Sequence, residues 1–187
     1  MRKILSSILA LAFLVCAHGA KSSNYVARDS QNAAPPIGCI SATSVKATHT
    51  PTDITAAAKK CADESKFDEA AELLMVASAF AYFDTQRVSD KTGHNVLRVI
   101  FNKEFGPLPD QERAKLFSSI NSLDKGGARK LEVCTYLRSS EPPSYIPSYM
   151  ISHGLRKFTG ATEEPLIKDF NANESWYKAM VFIKCST

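Results

Sequence analysis

Residues 53–77 read DITAAAKKCADESKFDEAAELLMVA, and the spacing of their apolar side chains decides the fold. Ile54, Ala57, Ala58 and Cys61 recur at three and four residues, the period of one helix face. Ser65 and Lys66 interrupt the pattern. Phe67 then opens a second helix carried by Ala70, Leu73, Leu74, Ala77, Phe80 and Ala81. Upstream, Thr50-Pro51-Thr52-Asp53 is a start signal. Thr50 can cap, and Pro51 suits the first helical position because its missing N–H would find no intrahelical acceptor there. The stretch predicts a helical hairpin whose first arm runs to about residue 64, and helical character continues through Arg98.

This pair resembles a tetratricopeptide-type hairpin over about residues 50–80. Ala58 falls where that motif has a small residue and Cys61 where it has a medium-sized core residue. Phe67 takes the aromatic place at the turn, and Ala70, Leu74 and Ala77 follow the small-large-small pattern of the second helix. Tyr82 stands near the place of the motif's terminal proline, and no second copy follows. Repeat arrays need about three stacked units. The resemblance therefore implies hairpin packing rather than a peptide-binding array.

Outward from the hairpin the chain stays helical. Ser89 or Asp90 can restart a helix bearing Val96, Leu97, Ile100 and Phe101, which Gly106-Pro107-Leu108-Pro109 ends. Residues 110–123 place Leu116, Phe117, Ile120 and Leu123 at core spacing. A Gly126-Gly127 turn leads to a helix over residues 128–138 with Leu131, Cys134 and Leu137 on one side. A proline-rich loop over 141–147 precedes a short helix over about 147–158. Asn171 with Glu174 three residues on reads as a capping box for a last helix holding Trp176, Met180, Ile183 and Cys185. Clear strand partners are missing. The expectation is an all-α bundle of six or seven helices over residues 50–187, behind an extended polar arm over 21–49.

The first twenty residues read as a secretory signal. Arg2 and Lys3 precede an apolar run from Ile4 to Cys16, and Ala17-His18-Gly19-Ala20 supplies small residues for cleavage. The run is short for a membrane-spanning helix. Val15 stands where a lipoprotein signal has a small residue before its cysteine, so the reading is soluble export to the periplasm or medium. Cleavage leaves about 165 residues, one domain's worth. It also removes Arg2 and Lys3, which takes the net charge from +4 to +2. So small a charge, with scattered basic residues, argues against nucleic-acid binding. Cys39, Cys61, Cys134 and Cys185 remain. An even set in an exported chain reads as two disulfides, and of three possible pairings Cys39–Cys61 with Cys134–Cys185 is preferred. The first would tie the arm to the hairpin, and the second would pin the chain's end.

Familiar catalytic signatures are missing: no Gly-x-Ser-x-Gly elbow, no His-Glu-x-x-His and no phosphate-cradling glycine loop. The acidic pairs Asp68-Glu69 and Glu163-Glu164 splay apart as neighbours do. No catalytic residue, metal or cofactor is expected. Two constellations remain. Asp84, Arg87, Asp90, His94 and Arg98 would share about a third of the circumference of one continuous helix. Such a set reads as a salt-bridged face or a buried ion network, with a polar cleft as the alternative. Two metal ligands, Asp90 and His94, fall short of the three or four of a zinc site. The second is the tandem Pro143-Ser144-Tyr145-Ile146 and Pro147-Ser148-Tyr149-Met150. Its tyrosines, with Ile146, Met150 and His153, either cover the core or form a protrusion that binds a partner, since tyrosines on a stiff loop lose little entropy when immobilised. The functional expectation is a protein-binding module of the cell envelope, in one version an inhibitor or immunity-type protein acting on a toxin or hydrolase. A small enzyme with a cleft around 84–94 and an envelope scaffold are the alternatives.

Overall fold

The computed structural model describes residues 37–160 and 164–185. The expected signal over 1–20 and the first part of the arm lie outside the described residues. Within them the chain is all-α, and its only sheet-like pairing is an isolated bridge between Val88 and Leu166. After a single 3-10 turn at Ala42–Ser44, the helices are α1 Pro51–Asp63, α2 Phe67–Arg87, α3 Val96–Phe105, α4 Asp110–Asp124, α5 Ala128–Ser139, the single turns α6 Ser148–Ile151 and α7 Arg156–Thr159, and α8 Ala172–Phe182. A second 3-10 turn, Lys91–Gly93, separates α2 from α3.

The start of α1 is fixed by its own sequence. The Asp53 amide donates to the Thr50 hydroxyl at 3.2 Å, and the Thr50 amide donates to the Asp53 carboxylate at 2.9 Å. Two of the helix's unpaired amides are thereby satisfied, with Pro51 behind them. The end of α1 is a Schellman turn. Ser65 takes a left-handed φ of 59°, its amide donates to the Ala62 carbonyl, and the Lys66 amide donates to the Cys61 carbonyl at 2.8 Å. The same turn closes α8, where Lys184 has φ 60° and Cys185 donates back to Met180.

The long helix α2 is the axle of the molecule. At about 1.5 Å per residue its 21 residues span about 31 Å. Alanines on both arms, among them Ala57, Ala58, Ala62, Ala70 and Ala77, are fully buried and let α1 and α2 approach closely. α4, α5 and α8 pack on other sides of α2, so it is buried around most of its circumference, whereas α3 packs chiefly against α1. The core runs through Ile54, Leu73, Val76, Phe80, Phe83 and Trp176, with the Trp176 ring edge-on to Phe80 at 5.5 Å and to Phe83 at 6.0 Å.

Both preferred disulfides are formed. Cys39–Cys61 ties the end of the arm to α1, and Cys134–Cys185 ties α5 to the segment after α8. They close loops of 22 and 51 residues. In a chain-entropy account these loops contribute about 3 and about 4 kcal/mol by restricting the unfolded chain.

Two expectations about helix continuity need correction. The helix through residues 84–98 is not continuous. α2 ends at Arg87, because Val88 turns extended and the Ile167 amide takes the Arg87 carbonyl at 2.9 Å. The short helix over about 147–158 is two separate turns, broken around Gly154. A Cβ on Gly154 would stand 2.3 Å from the Asp90 carboxylate, so only glycine lets that backbone pass.

Candidate functional site

At the C-terminal end of α2 a buried carboxylate gathers three other side chains. Asp84 Oδ1 accepts from Arg87 Nε at 2.8 Å, and the second arm of the guanidinium lies 2.6 Å from the same oxygen. Asp84 Oδ2 accepts from the hydroxyls of Tyr145 and Tyr149, each at 2.8 Å. The Arg87 guanidinium lies 4.9 Å from the ring centroids of both Phe83 and Tyr145, two cation–π contacts. Burial pushes the Asp84 carboxyl above its usual range, against the opposing pull of Arg87 and the two hydroxyls. Burial beside that carboxylate also pushes both phenols up, so they act as donors throughout the working range. Both oxygens of the carboxylate thus accept hydrogen bonds from within the fold, three in all. The arrangement joins α2 to the proline loop.

Beyond Arg87 the chain makes a corner. Asp90 caps the Lys91–Gly93 turn, accepting from the Thr92 amide at 3.0 Å and the Thr92 hydroxyl at 2.6 Å. Its other oxygen accepts from the Arg156 amide at 2.9 Å, and the Thr92 hydroxyl accepts from the Leu155 amide at 2.8 Å. Hydrogen bonds from Thr92 lead the causes that hold Asp90 below the usual carboxylate range. His94 Nε2 lies 3.0 Å from the Val88 carbonyl, which places its proton on that nitrogen. Ser89 donates through its amide to Pro165. Residues 155–156 and 164–167 therefore hang from one corner, beside a small apolar cluster of Val88, Val96 and Met150.

The structure divides the five residues expected on one helix face. Asp84 and Arg87 form the buried pair, Asp90 caps the turn, His94 holds Val88, and Arg98 lies exposed on α3 with Nε donating to Asn95 at 2.9 Å. No three histidine, cysteine, aspartate or glutamate side chains among the described residues could hold a metal ion together. Of the loop residues, Tyr145 and Tyr149 reach inward to Asp84 and Met150 is wholly buried, while Ile146 and His153 remain exposed. The four-residue period of the tandem is the sequence signal for this, since it brings two tyrosines to one acceptor.

Away from the corner lies an open cleft of ≈480 Å³. Its walls include Leu74 and Met75 of α2, Leu97 and Phe101 of α3, Ile120 of α4 and Ile183 after α8. Phe117 and Phe182, 44% and 54% exposed, also line it. Arg98, Lys130 and Asp124 are the charged groups of the lining. Asp124 is already matched: Lys184 Nζ is 2.8 Å from both of its oxygens and Lys130 Nζ is 3.8 Å from one. Lys184 holds its carboxyl below the usual range. The sequence gives no separate sign of this cleft, because each of its apolar residues also reads as core. Compared with protein-family models, with curated proteins and with solved structures, the chain matches none.

Proposed function

We propose that this chain is an exported, non-enzymatic binding protein that recognises another protein of the cell envelope through the corner beyond α2. The carrying observation is apolar exposure on anchored backbone. Leu155 and Ile167 are 61% and 46% exposed, yet the stretches bearing them are hydrogen-bonded to residues 87–92. Ile146, 49% exposed, follows directly on Tyr145, which is tied to Asp84. Side chains held this way lose little freedom on binding, so more of their burial appears as affinity. His153 adds a polar group to the same stretch. The occupied carboxylate of Asp84 favours this reading over an enzyme built around residues 84–94.

The test is a pull-down from the native envelope with the purified, oxidised protein as bait, beside a Leu155→Asp/Ile167→Asp variant. The expected outcome is one dominant stoichiometric partner that the variant no longer retains. A toxin or hydrolase there would make the chain an inhibitor, and any other partner an adaptor. If wild type and variant return the same proteins, the corner is not the binding surface.

A further inference from the structure

The cleft between α2, α3 and α4 stands apart from the corner, and we propose that it binds one long-chain fatty acid, with the hydrocarbon in the cleft and the carboxylate on Arg98.

The argument begins with what the walls do not offer. The two hydroxyls in the lining are both engaged by their own helices: Thr55 donates to Pro51 at 2.7 Å and Ser78 to Leu74 at 2.8 Å. An extended peptide laid there would give up hydrogen bonds to water and regain few, a cost of about 1–3 kcal/mol for each buried group left unpaired. A hydrocarbon chain gives up none, and each buried methylene gains about 0.8 kcal/mol. Met75 supplies an adaptable stretch of wall, and Phe101, Phe117 and Phe182 add apolar area beside it.

Size agrees. An enclosed apolar site of about 150 Å³ holds benzene, so a cleft of ≈480 Å³ accommodates roughly twelve to eighteen chain carbons.

Charge selects the head group. Asp124 is balanced by Lys184 and Lys130, whereas Arg98 has no acidic partner among the described residues and engages only Asn95 through Nε. One guanidinium with its two terminal nitrogens unengaged matches one singly charged, planar carboxylate in a forked pair. A cationic head would meet Arg98 and Lys130 instead.

The test is a fluorescence titration of the purified, oxidised protein with cis-parinaric acid, a long-chain carboxylate that brightens in apolar surroundings, kept below its micelle concentration. Parinaryl alcohol serves as the neutral comparison. Saturable one-to-one binding of the acid is expected. Arg98→Gln weakens the acid roughly tenfold and leaves the alcohol unchanged. Ser78→Trp, which fills the cleft from a partly exposed site on α2, abolishes both, with an unchanged melting temperature showing that the fold is intact. Absence of saturation, or equal binding by Ser78→Trp, overturns the site. Equal affinities for acid and alcohol, with Arg98→Gln silent, overturn the head-group assignment. A dimer that Ser78→Trp converts to monomers would show that a second copy covers the cleft, and would overturn the proposal as well.

Discussion

Asp84 shows how much structure one carboxylate can hold. Its oxygens receive Arg87 from the same helix and two tyrosines from more than sixty residues away. Removing one hydroxyl leaves Oδ2 with one donor, and removing both leaves it with none while still buried. The second loss is therefore the larger. Tyr145→Phe and Tyr149→Phe are each expected to cost about 1–2 kcal/mol, and the double variant measurably more than their sum. Urea unfolding of the four proteins in this cycle measures the difference. Additive losses, each under about 0.5 kcal/mol, would mean that the carboxylate is not sustained by these hydroxyls. Much of this cluster could be read in advance. The four-residue repeat of Pro-Ser-Tyr was visible, and Asp84 and Arg87 stood in a polar set that could be read as a buried ion network. That the tyrosines meet that carboxylate was not, because nothing local records a contact made across the fold.

At the level of the element, helix starts were legible where a side chain caps the backbone within four residues. Thr50 with Asp53 is one case. Asn171 is another, its side chain accepting from the Glu174 amide, although Glu174 itself turns outward to Lys178 instead of closing the box. Helix ends decided by distant contacts were not legible. α2 stops at Arg87 because the Ile167 amide takes the Arg87 carbonyl and Val88 bridges to Leu166, and a three- or four-residue period carries no trace of that. The Schellman turn after α1 offers a test of a local end. Ser65 holds a left-handed conformation that costs a residue with a Cβ about 1–2 kcal/mol. Glycine removes that strain, and part of the gain is returned through the freer unfolded chain. Ser65→Gly is expected to stabilise the protein by about 0.5 kcal/mol, seen as a higher urea midpoint at unchanged slope. A lower midpoint would show that the serine side chain supplies something at this turn beyond its conformation.

Across the whole molecule, the all-α class and the hairpin followed from periodicity and the presence of two disulfides from parity. The choice among three pairings did not follow from the sequence, and neither did the cleft, since a row of apolar residues looks the same whether it meets a neighbour or an opening. The two disulfides have a further consequence. They follow one another along the chain without overlap, so everything between Cys61 and Cys134 is free of covalent crosslinks. That interval contains α3, which buries only Val96 and Phe105 and leans on α1 rather than on the axle. α3 is thus set up to detach as a unit while both crosslinked ends stay closed. Amide hydrogen exchange is expected to show α3 opening with protection at least roughly tenfold below that of α2. Equal protection would mean that the fold opens only as a whole. Because Leu97 and Phe101 of α3 line the cleft, detachment of this one helix would act as a door, giving the molecule a way to admit a guest that its resting shape half encloses.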